Sequence, residues 1–362
     1  MRYLIELSGE SATLAIAESL AVAHSSRDTP GYESDGRALV LNSDISSEEL
    51  VSRLALAWSV SQHLFSCDIG ELDSMIGGLE LPGETFRVRT SRLGEQHPPG
   101  NGTALARHVG EILSARYKVD LEKPDVEIRI LMSERIHVGM LNGEIDRSSL
   151  EARKPENRPF KHPISLHPKL ARTLVNLTGI RPNQTIFDPF CGTGGIILEA
   201  GIMGCRVLGG DMDARMVAGT MQNLEHFGIE GDIRQADVSI WPESHEPVDA
   251  IATDPPYGRS ASTAKEPIES LYARAFGACH WMLKDGGKLA IALPGEKHIT
   301  LAKDFELEGM YPVRVHKSLT RYFCVFSKLP APKVAGVCCQ GWKFTIISCM
   351  PDLSKPDDFD LI

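Results

Sequence analysis

The segment Ile186-Phe187-Asp188-Pro189-Phe190-Cys191-Gly192-Thr193-Gly194-Gly195 decides the fold of this chain, because it joins an apolar strand to a helical pattern over Ile196–Gly201. Its glycines let the backbone turn sharply and approach a ligand closely. A dinucleotide fingerprint would need the spacing G-x-G-x-x-G to seat a pyrophosphate, and here the third glycine is misplaced. The segment therefore predicts a ligand site at a strand-to-helix turn that has no phosphate cradle.

Two more acidic residues follow predicted strands further along the chain. Asp211 ends the strand Cys205–Gly210, sixteen residues after Gly195. A carboxylate in that place can accept hydrogen bonds from both hydroxyls of a ribose. Asp237 follows the strand-like stretch that begins at Ile233, and it is suited to an adenine amino group. Aspartate is also common where loops begin, so each residue alone leaves both interpretations open. Together and in this order, they fit S-adenosylmethionine better than NAD.

The tetrapeptide Asp254-Pro255-Pro256-Tyr257 directly follows the apolar strand Ala250–Thr253. An ionised Asp254 offers only acceptors and can hold one N–H of an amine, while the carbonyl of Pro255 can hold the other. The prolines fix the backbone φ of this corner, and Tyr257 can stack on a base turned out of its helix. Such a corner suits methylation of an exocyclic amine on a nucleobase. A tight turn after a strand is the alternative, because Pro-Pro also marks loops.

Residues 160 to 328 resemble a class I methyltransferase of the amine-methylating kind. The positions that match the motifs of that family are Asp188, Gly192, Gly194, Asp211, Asp237 and Asp254 to Tyr257. The resemblance implies an α/β domain with a Rossmann-like, mostly parallel seven-stranded sheet, and it implies S-adenosylmethionine as the cofactor. The tetrapeptide occurs in adenine-N6 DNA enzymes as well as in guanine-N2 RNA enzymes, so it does not name the base.

The first 150 residues alternate strands with helices and resemble a ferredoxin-like region (1–60) followed by a THUMP RNA-binding domain (61–150). A helix is predicted over Ser47–Leu64, and Ser46 with Glu49 resembles the capping box that starts such a helix. The other predicted elements are strands at Arg2–Leu7, Ala38–Leu41, Thr85–Arg89, Val126–Leu131 and Ile136–Leu141 and helices at Ala12–Ala23 and Ala104–Tyr117. An ordinary small α+β domain is the alternative.

The segment Asn157–Arg172 contains too many prolines to be helical before Pro168, which is acceptable in the first turn of the helix that it opens. This segment closely resembles the one that precedes the catalytic domain in the archaeal and eukaryotic tRNA guanine-10 N2-methyltransferases. The downstream stretch His316–Arg321 is similar to that family too. The resemblance implies that the linker forms part of the cofactor wall, with Ser165 and His167 contributing. For His167, a surface linker histidine is the alternative.

The resemblance also implies the division of the chain and the composition of the site. We expect an α+β ferredoxin-like region at 1–60, a THUMP domain at 61–150, a linker at 151–168, a methyltransferase domain at 169–328 and an extension of unassigned role at 329–362. The implied catalytic residues are Asp254, Pro255, Pro256 and Tyr257. The implied cofactor-binding residues are Asp188, Pro189, Cys191, Gly192, Gly194, Asp211, Asp237, Ser165 and His167.

Charge is distributed unevenly along the chain. The net charge of −10 argues against indiscriminate binding of nucleic acid. From Glu151 to Arg172, however, six Lys or Arg face two acids, and the strand-like run Phe86–Arg92 carries three arginines. A selective reader of a shaped RNA needs such focused basic patches, although a solvated surface is the alternative. The candidate RNA-binding residues are Arg87, Arg89, Arg92, Arg158 and Lys161.

Composition restricts the class of protein. The 362 residues are 42% hydrophobic, but no apolar run approaches the ~20 residues that span a membrane. Eight cysteines in a chain of this length do not form a secreted disulfide framework, so we expect a cytoplasmic protein. Cys338, Cys339 and Cys349 lack the second ligand pair that a zinc site requires, and no metal is expected.

These inferences predict a tRNA methyltransferase that acts on the N2 amine of a guanine, with guanine 10 favoured and one or two methyl groups added. Another tRNA guanine (position 6) or an rRNA guanine, a DNA adenine-N6 activity, and a catalytically silent RNA-binding subunit are the alternatives. Eukaryotic relatives use a small activating subunit, and without one we expect a monomer.

Overall fold

Two sheets, one in each half of the chain, contain all the strands that the structure describes. The structure is a computed structural model, and it describes residues 1–24, 30–94, 101–162, 165–241, 246–257, 266–316 and 319–329. The predicted extension at 329–362, with its three cysteines, lies outside the described residues except for Leu329. No helix among the described residues is both long and apolar enough to cross a membrane. Nor do these residues contain a cluster of three or more His, Cys, Asp or Glu side chains placed to hold a metal ion.

The first sheet has eight strands in the order β2-β3-β1-β4-β8-β7-β5-β6. Its strands are β1 (Arg2–Leu7), β2 (Gly31–Asp35), β3 (Ala38–Asn42), β4 (Ala57–Cys67), β5 (Thr85–Arg92), β6 (Lys118–Val119), β7 (Val126–Met132) and β8 (Ile136–Glu144). The helices in this part are α1 (Ala12–His24), α2 (Ser47–Arg53), α3 (Leu72–Gly77) and α4 (Gly102–Leu113). The expected boundary between residues 60 and 61 falls inside β4, so the two amino-terminal regions share one sheet.

The predicted helix over Ser47–Leu64 is wrong beyond Arg53. Its start is confirmed, because the Ser46 hydroxyl accepts a hydrogen bond from the backbone N–H of Glu49 at 3.1 Å. From Ala57, however, the chain runs as β4 and pairs antiparallel with both β1 and β8. Pairing on both edges satisfies the backbone polar groups of β4, and this tertiary context outweighs the weak local preference for a helix.

The second sheet has seven strands in the order β11-β10-β9-β12-β13-β15-β14. Its strands are β9 (Thr185–Asp188), β10 (Arg206–Asp211), β11 (Gly231–Gln235), β12 (Val248–Thr253), β13 (Leu283–Leu293), β14 (Phe305–His316) and β15 (Leu319–Lys328). The helices are α5 (Arg147–Ala152), α6 (Pro168–Leu177), α7 (Gly195–Ile202), α8 (Ala214–His226) and α9 (Ile268–Met282), with 3₁₀ turns at Pro155–Asn157 and Glu296–Leu301. Five strands pair in parallel and β15 is antiparallel to both of its neighbours. The predicted Rossmann-like, mostly parallel sheet is confirmed.

The topology of the second sheet fixes where a ligand can bind. From β9 the chain moves outward to β10 and β11, and it then returns to place β12 on the other side of β9. Such a reversal opens a crevice at the carboxyl ends of the strands, where ligands of open α/β sheets bind. Asp188 and Asp254 both stand at this end of the sheet, since one closes β9 and the other follows β12.

A buried polar cluster joins the two halves of the chain. The Glu18 carboxylate on α1 is fully buried, and it accepts hydrogen bonds from the Asn176 amide of α6 at 2.8 Å and from the backbone N–H of Leu56 at 2.8 Å. Arg53, at the end of α2, donates to the carbonyl of Ile180 at 2.7 Å. The amino-terminal region therefore packs against the helix that opens the second sheet through hydrogen-bonded groups that are shielded from water.

Candidate active site

A cavity of about 460 Å³ opens at the carboxyl ends of β9, β10, β11 and β12. This volume is typical of ligand sites, which measure roughly 300–1,000 Å³. Carboxyl side chains outnumber guanidinium groups in its lining, which includes Asp188, Asp211, Asp213, Asp237, Asp254 and Glu266 against Arg215 and Arg274. The excess of carboxyl groups favours a cationic ligand and disfavours a pyrophosphate.

The loop between β9 and α7, residues 189–194, lies on one side of the cavity and is called the glycine loop. At two of its positions the backbone adopts a conformation that is easy only for glycine. Gly192 has φ +53° and Gly194 has φ +79°, in the left-handed region that penalises side chains. A Cβ atom on Gly194 would lie 2.8 Å from the Cγ2 atom of Thr220. Two side chains of α8 hold the loop, because Thr220 donates to the Gly192 carbonyl at 2.7 Å and Asn223 donates to the Thr193 carbonyl at 2.9 Å.

Asp188 lines the cavity at the end of β9 and is only 1% exposed. Its carboxyl group accepts hydrogen bonds from the Thr253 hydroxyl at 2.6 Å and from the backbone N–H of Phe190 at 3.1 Å. Burial raises the pKa of this carboxyl to about 7. Because Thr253 is the last residue of β12, the bond ties together the two strands between which the cavity opens.

Asp211 and Asp237 also line the cavity, and the pKa values of their carboxyl groups are shifted in opposite directions. Asp211 accepts the backbone N–H groups of Gly192 at 3.1 Å and Asp213 at 2.8 Å, and burial raises its pKa. Asp237 is bound by the Arg274 guanidinium through contacts of 2.6 and 3.2 Å, and these hydrogen bonds lower its pKa. The acid expected to meet an adenine amine therefore already has a cationic partner.

The linker supplies one wall of the cavity, through Ser165 rather than His167. The Ser165 hydroxyl lies 2.9 Å from the Thr193 hydroxyl of the glycine loop, and Ser165 and His162 both line the cavity. His167 is not among the residues that line this cavity, but it lines a neighbouring pocket together with His162 and Ser165, so its role in the cofactor wall stays a prediction. Its Nδ1 atom accepts the backbone N–H of Lys169 at 3.2 Å and caps the start of α6. Burial lowers the pKa of His167, which favours the neutral ring that this acceptor role requires.

At the opposite wall, Asp254 and Pro256 face the cavity. The Tyr257 hydroxyl donates a hydrogen bond to Oδ1 of Asp254, and Tyr272 of α9 donates to the Pro256 carbonyl at 3.0 Å. Among the described residues, no hydrogen bond goes to the Pro255 carbonyl. Burial raises the pKa of Asp254, against the opposing effects of Arg321 and Tyr257. The corner thus combines a partly buried carboxylate, whose side chain is 15% exposed, with the Pro255 carbonyl, which accepts no hydrogen bond from the described residues.

The remaining predicted cofactor residues shape the site in different ways. Cys191 lines the cavity and is 5% exposed, and burial raises the pKa of its thiol well above the ordinary value. It is therefore a protonated packing residue and not a nucleophile. Pro189 and Gly194 belong to the glycine loop but not to the cavity lining, and neither Pro255 nor Tyr257 lines the cavity directly.

The predicted RNA-binding cations differ in their exposure. Arg158 is only 1% exposed, its Nε atom donates to the Arg153 carbonyl at 2.8 Å, and its guanidinium lies against Gly195. Arg158 is therefore removed from the RNA-binding set, because its position in the interior supports the glycine loop. Arg87 forms an ion pair with Glu127. The side chain of Arg89 is half-exposed, and Arg92 and Lys161 are exposed.

Several residues of the site were not predicted from the sequence. They are Thr220 and Asn223 behind the glycine loop, Thr253 between the strands, Arg274 beside Asp237, and Tyr272 and Arg321 at the predicted catalytic corner formed by residues 254–257. The one available signal was the similarity of the stretch His316–Arg321 to the tRNA guanine-10 N2-methyltransferases, and it did not point to a particular side chain.

Comparisons with known proteins agree with this architecture. The family model described as "RMKL-like, methyltransferase domain" (UPF0020) matches residues 155–322. A tRNA (guanine(10)-N2)-dimethyltransferase of Methanothermobacter thermautotrophicus is 37% identical over 341 residues, which cover 91% of this chain and 100% of that relative. A tRNA (guanine(6)-N2)-methyltransferase of Thermus thermophilus is 31% identical over 255 residues, 64% of this chain and 72% of the relative. The crystal structure of TrmN from Thermus thermophilus has 25% identity and a TM-score of 0.53, covering 91% of this chain and 100% of TrmN.

Proposed function

The chain belongs to the family of the archaeal tRNA (guanine(10)-N2)-dimethyltransferases, and we propose that it transfers methyl groups from S-adenosylmethionine to the N2 amine of a guanine in tRNA. Guanine 10 is the favoured position, since a relative that aligns with 91% of this chain carries that name. One observation carries the proposal. The partly buried carboxylate of Asp254, 15% exposed, faces the same cavity as Asp188, Asp211 and Asp237.

The residues of the cavity suit this cofactor. The Asp211 carboxylate is suited to the ribose hydroxyls, and Asp237, which keeps acceptor capacity beside Arg274, is suited to the adenine amine. The excess of carboxyl groups suits a sulfonium cation, and the glycine loop lets the backbone come close to the ligand. When bound, the cofactor supplies an electrophilic methyl group.

The catalytic corner deals with the poor nucleophilicity of the guanine amine, whose lone pair is delocalised into the ring. The Asp254 carboxylate accepts one N–H and the Pro255 carbonyl accepts the other, which turns the lone pair toward the donor. Holding the reacting atoms about 3–3.5 Å apart lowers the activation barrier, because the bound reactants have already lost their translational and rotational freedom. The base has to leave its stack, at a cost of a few kcal/mol, and stacking on Tyr257 offsets about 1–3 kcal/mol of this.

Asp254 is also placed to receive the proton that the amine releases. Its pKa is raised by burial, which makes the carboxylate a better proton acceptor than an exposed aspartate. The Tyr257 phenol stays protonated, because burial raises its pKa well above the ordinary value, and it donates to the carboxylate throughout. After one transfer the amine retains a second hydrogen, so the same corner can carry out a second methylation.

We propose that the RNA meets exposed cations outside the cavity. Arg89 and Arg92 on β5 are exposed, and the Arg89 guanidinium also lies 3.8 Å from the carboxylates of Glu127 and Glu144. Lys161 is exposed on the linker next to His162, which lines the cavity. Arg87 contributes less, because Glu127 already neutralises it. With a net charge of −10, such local patches provide the salt-dependent part of tRNA binding.

The decisive test is nucleoside mass spectrometry of an unmodified tRNA transcript after incubation with the protein and the methyl donor. We expect N2-methylguanosine and N2,N2-dimethylguanosine at position 10. Asp254→Ala should reduce the rate by about 10²–10³-fold, as expected when a group that stabilises the transition state is lost, while tRNA binding stays near wild type. Asp254→Asn should retain some rate, since its amide oxygen still accepts one N–H. The exposed carboxylate Asp285 provides a matched control as Asp285→Asn.

Each outcome of this test separates the proposal from an alternative. Full activity of Asp254→Ala would remove the mechanism. A product at position 6 would move the assignment to the activity named for the Thermus relative. Cofactor binding without turnover on any transcript would support a silent RNA-binding subunit or the need for an activating subunit. We further propose a cytoplasmic protein that is monomeric in the absence of such a subunit.

A further inference from the structure

A buried arginine of β15 stands directly behind the catalytic corner. Arg321 is 7% exposed, and its Nη2 atom lies 3.4 Å from Oδ2 of Asp254. Its Cζ atom lies over the Tyr257 ring, 5.4 Å from the ring centroid. Since Tyr257 donates to the other oxygen of the same carboxylate, each oxygen of Asp254 has its own partner.

The position of Arg321 follows from the hairpin at the edge of the sheet. Arg321 pairs with Val313 of β14, two residues after β15 begins, so the antiparallel ladder fixes its backbone. The Nε atom of Arg321 is buried and has no hydrogen-bond partner among the described residues. A buried guanidinium that leaves a donor unpaired is costly for folding. The Asp254 carboxylate is the acid with which this buried guanidinium forms an ion pair, so the charge of Arg321 acts directly on the corner at Asp254.

We propose that Arg321 is a positioning residue that fixes the Asp254 carboxylate, charged and correctly turned, for the amine of the substrate. This inference rests on the proposed methyl transfer, because the amine needs a carboxylate that accepts a hydrogen bond and not a carboxylic acid. An opposite charge within about 4–6 Å favours the ionised form of an aspartate by 1–3 pKa units. Burial alone would drive Asp254 toward its protonated form.

Side chains from several described elements act on the titration of Asp254. Arg321 from β15 and the Tyr257 hydroxyl favour the carboxylate, while burial opposes it and has the largest effect on the pKa. Asp188 at the end of β9 interacts unfavourably with the Asp254 charge, and so does Tyr272 of α9 whenever its phenol ionises. Arg321 is the one cation in this set, so neutralising it removes the main opposition to burial.

The first experiment compares pH–rate profiles of the full-length enzyme on a tRNA transcript under single-turnover conditions. Asp254 has to be ionised, so the rate rises with pH through its pKa. Arg321→Met should shift this rise in rate, the acidic limb of the profile, by about one unit toward higher pH. At the acid end the rate should fall by about tenfold, and it should recover as the pH rises. Arg321→Lys should stay close to wild type. Arg314→Met, which removes an exposed arginine from β14, is the matched control. A uniform loss of rate in Arg321→Met, with an unshifted limb, would overturn the inference.

A second measurement needs no substrate and separates this inference from the proposed function. An aspartate whose pKa is raised by folding contributes stability that is present at low pH and is lost as the pH rises through the folded pKa. Arg321→Met should extend that loss to higher pH, and adding Asp254→Asn should abolish the extra dependence. If the free energy of unfolding depends on pH in the same way for wild type and Arg321→Met, the coupling between Arg321 and Asp254 is refuted. If the coupling appears while the wild type methylates no transcript, the proposed function fails and the pairing of Arg321 with Asp254 stands.

Discussion

Replacing Asp188 with asparagine should change how the stability of this protein depends on pH. Asp188 is 1% exposed, and its pKa is raised to about 7 by burial. Asparagine has nearly the same shape, and its side-chain oxygen can still accept the hydrogen bonds from Thr253 and from the backbone of Phe190. The substitution therefore removes the titration while keeping the contacts that join β9 to β12.

The size of the effect follows from the shifted pKa. Folding raises the pKa of Asp188 from 3.8 to about 7, so between these values the folded protein binds a proton that the unfolded chain has lost. The contribution of Asp188 to the free energy of unfolding is then fully present below pH ~4 and falls as the pH rises toward ~7. Each pKa unit corresponds to about 1.4 kcal/mol. Integrated between pH 5.5 and 8, this single group should cost wild type about 2 kcal/mol relative to Asp188→Asn.

Urea denaturation of both proteins at pH 5.5, 6.5 and 8, without cofactor, measures this difference. The free energy of unfolding of Asp188→Asn, relative to wild type, should increase by about 2 kcal/mol across the series. The exposed Asp285, changed to asparagine, should give a profile parallel to wild type. Parallel profiles for wild type and Asp188→Asn would show that Asp188 does not titrate in this range, and the account of its burial would be wrong.

Two further predictions concern the glycine loop and the junction between the halves. Gly194→Ala should destabilise the protein by about 1–3 kcal/mol and weaken cofactor binding, because the left-handed backbone is strained and the new Cβ atom meets Thr220 at 2.8 Å. In calorimetry the control Gly277→Ala should gain up to about 1 kcal/mol, since the position is helical and has no atom within 4 Å. Glu18→Ala should lower the free energy of unfolding by about 3 kcal/mol or more in urea denaturation, because it leaves several buried donors, including the Asn176 amide, without an acceptor. A loss below about 1 kcal/mol would mean that water enters the cluster.

The sequence was most informative where a local pattern has a local cause. The strand-to-helix turn at Asp188–Gly195 was predicted because glycines and an apolar run encode it directly, and both Gly192 and Gly194 adopt positive φ angles. The N-terminal cap at Ser46 was likewise encoded within four residues. Local patterns could not predict β4, because its strand conformation depends on β1 and β8, which lie far away along the chain.

Residues that complete the site through distant contacts were not predictable in this way. Arg321 meets Asp254 only because the hairpin of β14 and β15 packs beside β13. Tyr272 reaches the Pro256 carbonyl from the second turn of α9. For Arg158 the sequence was misleading, because a basic, proline-rich linker is typical of a surface, yet this arginine folds inward against Gly195.

The buried cluster around Glu18 bears on how RNA binding and chemistry are connected. If the amino-terminal region were an independent module, removing it would leave the second sheet intact. Glu18 and Arg53, however, provide hydrogen-bond partners for Asn176 of α6 and for Ile180, which follows α6. Without them, buried polar groups of α6 would lose their partners, each at a cost of about 1–3 kcal/mol. The helix α6 begins at Pro168, three residues after Ser165 in the cavity wall. Loss of these hydrogen bonds would therefore act on the helix that follows Ser165 in the sequence.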